Sequence, residues 1–525
     1  MKSNYDVIVV GFGPSGAVAA ALLGQAGLNV LVIDRLHHVY DKPRAIALDH
    51  EIMRVFQQLG VAEAVAEHIE PFTPSEYYGA DGELIKRLAA VEPPFPMGYT
   101  PSMVFTQPPV ERILRERVAS LSNVDVHTGI EFKSMQQDAN SVTVTLRDEN
   151  GTEHAVSSKY LIGCDGASSS VRDAAGIELE DLDFDEPWLV VDVLVNEKGL
   201  AKLPVTSVQF CEPERPCSYV IGPKNHRRWE ISLLEGEDPK YMATEEGAWS
   251  VLKRWISTDD ATLWRQASYR FHALVAKEWN NGRVFIAGDA AHQQPPFLGQ
   301  GMCQGVRDVV NLIWKLKLVI TGNADESLLH TYGEERGAHV RALTGRIKDI
   351  GKLICERDPE AARQRDAHLI AADGGTIKTV PRQNIIPSLD RGLLSPVPSA
   401  ANGTLFPQPR ISVSGADVLM DRACGTEWRI VFDPTRVQPV DALLKVARLI
   451  GAQLVPILPT AVQDSPPKGY RERDGVVNGW FERIGVCAAI VRPDHYVYGA
   501  ANDIDDLLEQ LNGLQQRLGE TTAVV

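Results

Sequence analysis

The fold is decided by the first stretch of the chain, Tyr5-Asp6-Val7-Ile8-Val9-Val10-Gly11-Phe12-Gly13-Pro14-Ser15-Gly16. It reads as an apolar strand that runs into the pattern G-x-G-x-x-G, and a helix of small residues follows from Ala17 to Ala26. Only glycine permits the tight turn and the close approach of backbone to a pyrophosphate, and the N-terminal N–H groups of the helix point at that anion. A second apolar strand, Val30 to Ile33, ends in Asp34, where a carboxylate can accept hydrogen bonds from a ribose.

This order of strand, turn, helix, strand and acid predicts a dinucleotide site, whereas a glycine pattern alone would be weak evidence. The alternative is a glycine-rich turn in an ordinary α/β domain. The residues expected to contact the dinucleotide are Gly11, Gly13, Pro14, Ser15, Gly16, Asp34 and Arg35.

Length and composition narrow the classes of protein. A chain of 525 residues is expected to hold two or three domains. The 53 basic and 69 acidic residues leave a net charge of −16, which argues against nucleic acid or an anionic membrane as a partner. The first strand follows the N-terminus directly and leaves no room for a signal peptide, and no apolar run reaches a membrane span of about 18 residues. The seven cysteines form no C-x-x-C pair and no zinc-type cluster with histidine, so we expect no metal and reduced thiols in a cytoplasm.

The pattern along the chain divides it into five segments. Strands and helices alternate over residues 1–185, and strands with a period of two residues dominate 186–275. A buried strand and long helices return over 276–375. Residues 376–410 are rich in Pro, Gly and Ser and are interpreted as a linker. Residues 411–525 are predicted to form a compact α/β tail.

Three motifs in order indicate a family: Gly11-x-Gly13-x-x-Gly16, the segment Gly163–Arg172 (GCDGASSSVR) and the segment Gly288–Met302 (GDAAHQQPPFLGQGM). Together they resemble the single-component FAD-dependent aromatic hydroxylases, the group built like p-hydroxybenzoate hydroxylase. The resemblance covers residues 1 to about 345. The tail, with Val491–Val497, is similar to the thioredoxin-like appendage of the phenol-hydroxylase branch, but without C-x-x-C we expect it to be redox-inert.

The resemblance implies an α/β fold in which a Rossmann-like FAD-binding domain (1–185 and 276–375, with a helical extension) carries an inserted β-sheet substrate domain (186–275). The C-terminal thioredoxin-like domain would occupy 411–525. It also implies FAD as cofactor, NADH or NADPH as a transient reductant, O₂ as oxidant, a small aromatic substrate, a cytoplasmic location and a possible homodimer. Ring hydroxylation would proceed through a flavin C4a-hydroperoxide, chemistry that no side chain supplies.

Further cofactor contacts follow from the second and third motifs. Asp289 ends a buried strand, where its carboxylate can bind a ribityl hydroxyl, and the loop after it is rigid and poor in side chains. The helix that starts near Gly301 would direct its positive end at the flavin. Arg172 is a candidate for a structural ion pair with Asp165 or with a neighbouring residue. From the family resemblance and from their positions in the motifs, the further residues expected to contact FAD are Arg44, Gln107, Asp165, Gly166, Asp289, Pro296, Gly299, Gly301 and Met302.

The catalytic base is open at this point. The segment around Arg44 resembles the 3-(3-hydroxyphenyl)propionate hydroxylases, but Ala47 stands where that pattern has histidine. Asp49 and His50 are candidates, and the alternative is a polar pair that starts a helix. Tyr219 and Tyr269 lie on the predicted substrate sheet, and the alternative for each is packing. Pro296 is included with these catalytic candidates.

The first choice of function is hydroxylation of a phenolic carboxylate such as 3-(3-hydroxyphenyl)propionate. Hydroxylation of another phenol or of an N-heteroaromatic compound is the nearest alternative. A flavin halogenase or a reductase shares the first motif, although W-x-W-x-I-P, usual in halogenases of this fold, does not occur here. A flavin-binding scaffold without activity is a third hypothesis.

Overall fold

The computed structural model describes residues 2–459 and 468–519. The strands, in chain order, are β1 (Asn4–Val10), β2 (Val30–Asp34), β3 (Ala47–Asp49), β4 (Ile69–Pro71), β5 (Ser75–Tyr78), β6 (Leu84–Ala89), β7 (Ser102–Phe105), β8 (Val124–Thr128), β9 (Glu131–Gln137), β10 (Val142–Arg147), β11 (Glu153–Gly163), β12 (Leu179–Val195), β13 (Ser207–Phe210), β14 (Cys217–Ile221), β15 (His226–Ser232), β16 (Ala261–Ala276), β17 (Asn280–Asn281), β18 (Val284–Ile286), β19 (His292–Gln293), β20 (Thr379–Pro381), β21 (Arg410–Val413), β22 (Ala416–Leu419), β23 (Arg429–Phe432), β24 (Gln453–Leu458), β25 (Tyr470–Glu472), β26 (Ala488–Val491) and β27 (Val497–Ala501).

The helices are α1 (Pro14–Gln25), α2 (His50–Leu59), α3 (Ala62–Ala66), α4 (Gln107–Ala119), α5 (Ser170–Ala174), α6 (Glu197–Leu200), α7 (Pro239–Met242), α8 (Glu245–Leu252), α9 (Gly301–Ile320), α10 (His330–Cys355), α11 (Pro359–Ala372), α12 (Met420–Cys424), α13 (Asp441–Leu449), α14 (Val476–Ile484) and α15 (Ile504–Leu518). Short 3₁₀ turns occupy Gly288–Ala290, Glu326–Leu329 and Arg382–Ile385. Among these helices, none combines the length and the apolar character that a membrane span requires.

The first sheet contains the predicted nucleotide-binding unit. Its strand order is β17-β18-β11-β1-β2-β8, with β10 beside β11 and β9 beside β10. β1 lies parallel to both β2 and β11, and α1 follows β1 after the glycine turn. The strand–turn–helix–strand order and the α/β fold class are therefore confirmed. α9, expected from the apolar pattern after Gly301, packs against α1 in the same core.

The second sheet has nine strands in the order β19-β16-β12-β15-β14-β13-β5-β6-β20. The period-two segment 186–275 supplies its centre, as predicted, but the sheet is wider than that segment. β5 and β6 come from residues before 100, and β20 comes from the stretch expected to be a linker. Pairing between segments so distant in sequence leaves no local pattern, and for that reason the sequence indicated only the central strands.

Residues 376–410 are packed against the body of the protein, which corrects their interpretation as a plain linker. β20 joins the edge of the second sheet through β6. The buried side chains of this stretch include Leu389, Leu393 and Phe406. Its prolines and glycines interrupt regular structure, but its apolar residues still enter the core.

The C-terminal unit is built on a seven-stranded sheet, β22-β21-β25-β24-β23-β26-β27. β23 and β24 are parallel and joined through α13, whereas β26 and β27 form an antiparallel hairpin followed by α15. The thioredoxin-like assignment of this unit stays a prediction. On α15, the leucines at 507, 511, 514 and 518 are buried, as the spacing of its apolar residues indicates.

The glycines of the first turn have different tasks. Gly11 has φ +99°, and a Cβ there would lie 2.3 Å from the carbonyl oxygen of Cys164. A Cβ at Gly16 would lie 1.9 Å from the carbonyl oxygen of Gly11, so α1 packs directly on the turn. A Cβ at Gly13 would meet no protein atom within 4 Å. Gly11 and Gly16 therefore shape the turn, whereas Gly13 leaves space beside it.

We expect Gly16→Ala to destabilise the ligand-free protein by at least about 1–3 kcal/mol, because the added methyl group overlaps backbone that cannot move alone. Gly13→Ala should change the stability by less than about 0.5 kcal/mol. Urea unfolding of both variants measures the difference. Equal destabilisation by the two substitutions would contradict this division of tasks.

A buried ion cluster joins the C-terminal unit to the first domain. Arg54 on α2 donates from Nε to Asp421 on α12 at 2.6 Å and from Nη1 to the Phe406 carbonyl at 2.6 Å. Arg429 on β23 contacts the same carboxylate with Nη1 at 2.5 Å. Burial alone would raise the pKa of Asp421, but the two guanidinium groups outweigh it and hold that pKa well below its usual range.

We expect Asp421→Asn to reduce the free energy of unfolding by about 3–5 kcal/mol at neutral pH, because it leaves two arginines buried without a counterion. A lowered carboxyl pKa stabilises the fold above the ordinary value and ceases to do so as the pH falls, so the gap to the unmodified protein should narrow below about pH 4. Chemical unfolding at several pH values tests this, with Asp390→Asn in the exposed pair Asp390–Arg391 as the control. A pH-independent gap would contradict the assignment.

Candidate functional site

One cavity of about 440 Å³ connects the glycine turn of the first sheet to the face of the second. Gly13, Pro14 and Ser15 line one end, the loop from Gly288 to Met302 lines the middle, and side chains of β12, β15 and β16 line the far wall. This volume is in the range of ligand pockets in proteins. The site predicted from the motifs and the face of the predicted substrate sheet therefore open onto one space.

The turn end of the cavity suits a phosphate group. Gly13 is the N-cap of α1, Pro14 occupies the first turn, and no acidic residue lies there. The first N–H groups of a helix have no partner within the helix and attract anions. The space beside the Cα of Gly13 is open to a ligand. Gly11 and Gly16 do not line the cavity, and their role is to form the turn.

Asp34 and Arg35 lie outside this cavity. Asp34 accepts hydrogen bonds from the backbone N–H groups of Phe12 and Leu36, both at 2.7 Å, and so fixes the glycine turn from behind. Arg35 lines a separate surface groove with Glu131 and Glu149. Contacts of Asp34 and Arg35 with an adenosine end stay predictions.

Some residues of the second motif, Gly163–Arg172, line the cavity, and others stabilise the adjoining backbone. Gly166 lines the cavity, whereas Asp165 accepts from the Ser169 hydroxyl at 2.5 Å and from the Val171 N–H at 3.1 Å, at the start of α5. Burial raises the pKa of Asp165 against the effect of these hydrogen bonds. Arg172 pairs with Asp173 at 3.2 Å and donates to the carbonyls of Ala167 and Ala290. Of the two ion pairs considered for Arg172, the structure thus has the one with a neighbouring residue, Asp173, and not the one with Asp165.

Asp289 lies in the 3₁₀ turn after β18 and presents its carboxylate to the cavity. Within the described part of the chain it accepts no hydrogen bond, and its exposed surface faces the cavity. Surrounding protein atoms raise its pKa by desolvation, and His292 and Arg44 oppose that rise. The turn itself is fixed by Asp308, which accepts from the Gly288 N–H at 2.9 Å and contacts His292 Nε2 at 2.7 Å.

The loop after this turn is rich in glycine and proline, and it lines the cavity through Gln293, Gln294, Pro296, Gly299, Gly301 and Met302. Gly299 has φ +60°, and a Cβ there would lie 2.8 Å from the Cβ of Ala47. The loop is thus pressed against β3, and the small side chain of Ala47 gives it room. α9 begins at Gly301 without an acidic residue in its first turn, so its positive end is directed at the cavity.

Arg44 and Gln107 both line the cavity. The Gln107 side-chain oxygen accepts from the backbone N–H groups of Arg44 at 3.2 Å and Ala45 at 2.6 Å. On the other side of this segment, Arg228 donates to the carbonyl of Arg44 at 2.8 Å and Arg265 donates to that of Pro43 at 2.9 Å. The segment is held from two sides, and its arginine side chain extends toward the cavity.

The alternation of β15 decides which side chains reach the cavity. Arg228 and Glu230 line it, whereas Trp229 and Ile231 point to the core on the opposite face. Tyr219 is paired with Trp229 in the β14–β15 register and shares that core, where its ring lies 4.9 Å from the Trp229 ring. The expectation that Tyr219 takes part in catalysis is therefore wrong.

Tyr269 on β16 does line the cavity, together with Val190, Arg265 and Phe271. Arg265 donates a hydrogen bond to the Tyr269 hydroxyl oxygen and lies over its ring at 5.2 Å from the centroid. The oxygen acts as acceptor in that bond, so its own proton can be donated to a ligand. Tyr269 and Pro296 are thus the two catalytic candidates that the structure brings to the cavity.

Asp49 and His50 do not line the cavity. Asp49 caps α2 through the Ile52 N–H at 3.2 Å and forms an ion pair with Arg307 on α9. Burial opposes ionisation, but Arg307 outweighs it and lowers the pKa of Asp49. Burial lowers the pKa of His50 to about 4. The structure corrects their assignment as catalytic candidates in favour of the alternative, a polar pair that starts a helix.

The sequence analysis missed four charged residues of the far wall, Arg228, Glu230, Arg265 and Arg270. The available signal was the alternation in Arg228-Trp229-Glu230-Ile231. Once the two apolar members are assigned to a core, the charged members must face the other side of the sheet.

The residues present fit FAD. Gly13, Gly166 and Gly301 each leave open space where a Cβ would project, and the side-chain oxygen and nitrogen of Gln294 are buried at the cavity without a partner in the described residues. Asp289 offers an acceptor for a hydroxyl group. One cavity therefore contains a turn suited to a pyrophosphate, a carboxylate suited to a ribityl hydroxyl and a glycine- and proline-rich loop suited to a flat ring. These three features correspond to the chemically different parts of a flavin dinucleotide.

Comparison with known proteins agrees with this geometry. The model of the FAD binding domain family matches residues 4–346, more than half of the chain. The model of the HcaD C-terminal domain matches residues 403–515. Two solved structures share the fold, the flavin-dependent monooxygenase PieE in complex with FAD and substrate (24% identity, TM-score 0.82, 98% of this chain and 99% of that chain) and aklavinone-11 hydroxylase with FAD and aklavinone (22%, 0.80, 99% and 100%).

Two relatives extend over nearly the full length. A probable NADH-specific resorcinol 4-hydroxylase of Rhodococcus jostii (strain RHA1) is 37% identical over 512 residues, which cover 96% of this chain and 94% of that protein. A 3-(3-hydroxy-phenyl)propionate/3-hydroxycinnamic acid hydroxylase of Burkholderia cenocepacia (strain HI2424) is 30% identical over 518 residues, 94% of each chain. With the three motifs and the shared cavity, these matches show that the chain belongs to the family of FAD-dependent aromatic hydroxylases.

Proposed function

We propose that the protein hydroxylates a phenol that carries a second substituent in the meta position, with O₂ as oxidant and NADH as reductant. The observation that carries the proposal is one cavity in which Asp289 and the Gly288–Met302 loop face a wall of polar and aromatic side chains. The names of the two relatives support the substrate class, because resorcinol and 3-(3-hydroxyphenyl)propionate are both meta-substituted phenols. The name of the first relative supports NADH over NADPH.

FAD, when bound and reduced by the nicotinamide, supplies the activation of O₂ for transfer of one oxygen atom to the ring. The chain's contribution is to bind and orient. The Gly13–Ser15 turn would hold the pyrophosphate, Asp289 a ribityl hydroxyl, and the start of α9 the negatively charged edge of the reduced ring. Val190 and Phe271 on the opposite wall would position the aromatic ring and exclude water.

Which meta substituent is preferred is decided by the charges of the wall. Arg265 and Arg270 favour a carboxylate, whereas Glu230 disfavours one and favours a hydroxyl group. The sequence analysis favours 3-(3-hydroxyphenyl)propionate as substrate. Resorcinol is a second candidate, because the relative with the higher identity is named a probable resorcinol 4-hydroxylase. A cytoplasmic homodimer that binds neither nucleic acid nor membrane stays a prediction from composition and family resemblance.

The function is tested by the oxidation of NADH in the presence of each phenol, with ¹⁸O₂ and mass spectrometry of the product. We expect a meta-substituted phenol to stimulate NADH consumption and the product to carry one ¹⁸O atom. Stimulated consumption in which every electron goes to H₂O₂ would exclude that phenol class as substrate. A chloride-dependent product would favour the halogenase alternative.

We expect Asp289→Ala to weaken FAD binding about 10- to 100-fold, because a hydrogen bond to a charged acceptor contributes about 1.5–3 kcal/mol. Titration of the FAD-free protein, followed by flavin fluorescence, measures the dissociation constant. Glu278→Gln removes an exposed carboxylate outside the cavity and serves as the control. Unchanged affinity in Asp289→Ala would remove Asp289 from the flavin site.

A further inference from the structure

Glu230 is an unusual acid among the buried charges of this protein. It lies on β15 with 5% of its surface exposed, and its side chain lines the cavity. Within the described residues no group donates a hydrogen bond to its carboxylate. The nearest cationic atom is Nη1 of Arg228, at 3.9 Å.

The neighbouring acid, Asp192 on β12, takes the contacts that Glu230 lacks. Its carboxylate contacts His226 Nε2 at 2.7 Å, Arg228 Nε at 2.7 Å and Arg265 Nη1 at 3.4 Å. Other donors of the two arginines reach the carbonyls of Pro43 and Arg44 and the Tyr269 hydroxyl, whereas Arg265 Nε has no partner among the described residues. The arginines are therefore held in place by other partners, close to Glu230 without hydrogen bonding to it.

A buried carboxylate without a donor is costly, and in a folded protein it requires an explanation. Other deeply buried carboxylates of the described chain, such as Asp308, Glu335 and Asp421, have ion pairs at 2.9 Å or less. Glu230 alone among these four is directed at open space. A ligand that brings a hydrogen-bond donor into the cavity would complete its coordination.

The charges around Glu230 leave it able to exchange a proton near neutral pH. Its pKa is raised to about 7 as the net result of several effects: burial and Asp192 raise it, whereas Arg228 and Arg265 lower it. The other titratable or charged side chains that line the cavity are Arg44, Cys164, Tyr269, Arg270, His272, Asp289 and His292. A base works best when its pKa is close to the working pH.

On the basis of the proposed function, we infer that Glu230 is the base that accepts the proton of the substrate's phenolic hydroxyl group. The phenolic O–H bond breaks, an O–H bond forms on a carboxylate oxygen of Glu230, and the electron pair stays on the phenolate oxygen. That negative charge spreads to the ortho and para carbons of the ring, which become more nucleophilic. The proton returns to water when the cavity opens for product release.

The arginines make this transfer feasible. A free phenol such as tyrosine has a pKa of about 10, about three units above the value for Glu230. A cation within a few ångströms lowers the pKa of a phenol, and Arg228 and Arg265 are fixed beside the proposed position of the hydroxyl. The same two cations compensate the charge of Glu230 only weakly, because both are paired with Asp192 and neither donates a hydrogen bond to Glu230.

The test compares the FAD-loaded protein with Glu230→Gln, with 3-nitrophenol as a probe whose phenolate has its own visible absorption. We expect the unmodified protein to bind the probe as phenolate with a pH midpoint near 7, and Glu230→Gln to bind it without that titration. With the preferred substrate, kcat/KM of Glu230→Gln should fall about 10²- to 10⁴-fold, the usual contribution of a general base. Glu230→Asp should recover part of the pH dependence, and Glu235→Gln, at an exposed position three residues past the end of β15, should behave as the unmodified protein.

A purely structural role would give a different result. Because the pKa of Glu230 is raised, its ionisation destabilises the fold as the pH rises through 7, so Glu230→Gln should melt at an equal or higher temperature at pH 8 and retain FAD. A variant that melts earlier and loses FAD, or one that keeps the phenolate titration, would overturn the inference. If the unmodified protein hydroxylates a phenol and Glu230→Gln shows the same pH profile of activity, only the assignment of Glu230 as the base would be refuted. If the unmodified protein hydroxylates no phenol, the proposed function would be refuted.

Discussion

The geometry of the site depends on the hydrogen bonds and ion pairs of the buried Asp308 carboxylate. It accepts the backbone N–H of Gly288, contacts His292 and pairs with Arg336 Nε at 2.9 Å. These contacts fix the 3₁₀ turn that presents Asp289 and set the start of the loop that follows. Burial would raise the pKa of Asp308, but His292 and Arg336 lower it, so the group is an anion that the turn can be built around. A neutral side chain of the same shape could not hold all three partners as strongly.

Helix α9, which carries Asp308, also connects the cavity loop and α2 with the C-terminal unit. Arg307 contacts Asp49 and Glu51 at the start of α2 and donates to Gln300, the residue before α9, at 2.9 Å. Tyr496, in the turn between β26 and β27, donates to Glu51 at 3.2 Å. The loop that faces the cavity, α2 and the C-terminal unit are therefore joined through adjacent residues of one helix. Charges buried this deeply stabilise a structure only when every partner is present.

The sequence predicted those parts of the site whose signal is local. The turn at Gly11–Gly16 and the loop at Gly288–Met302 each lie within a short run, and the glycine and proline spacing reflects backbone geometry directly. The far wall was harder to predict, because the face to which a strand residue points depends on its register with strands distant in sequence. Tyr219 was placed on the wrong face for this reason, and Glu230 was overlooked between two apolar neighbours. Asp49 was considered for catalysis because a helix cap and a catalytic acid look alike in sequence.

The tie between Tyr496, Glu51 and Arg307 has an evolutionary consequence. An appended unit that met its neighbour only through an apolar patch could be exchanged between enzymes as an independent module. Here the interface also carries a buried ion pair, Arg54 of the first domain with Asp421 of the C-terminal unit, and replacing either side would leave a buried charge without its partner. The C-terminal unit is thus expected to diverge together with the helices it contacts, even though none of its described residues lines the cavity.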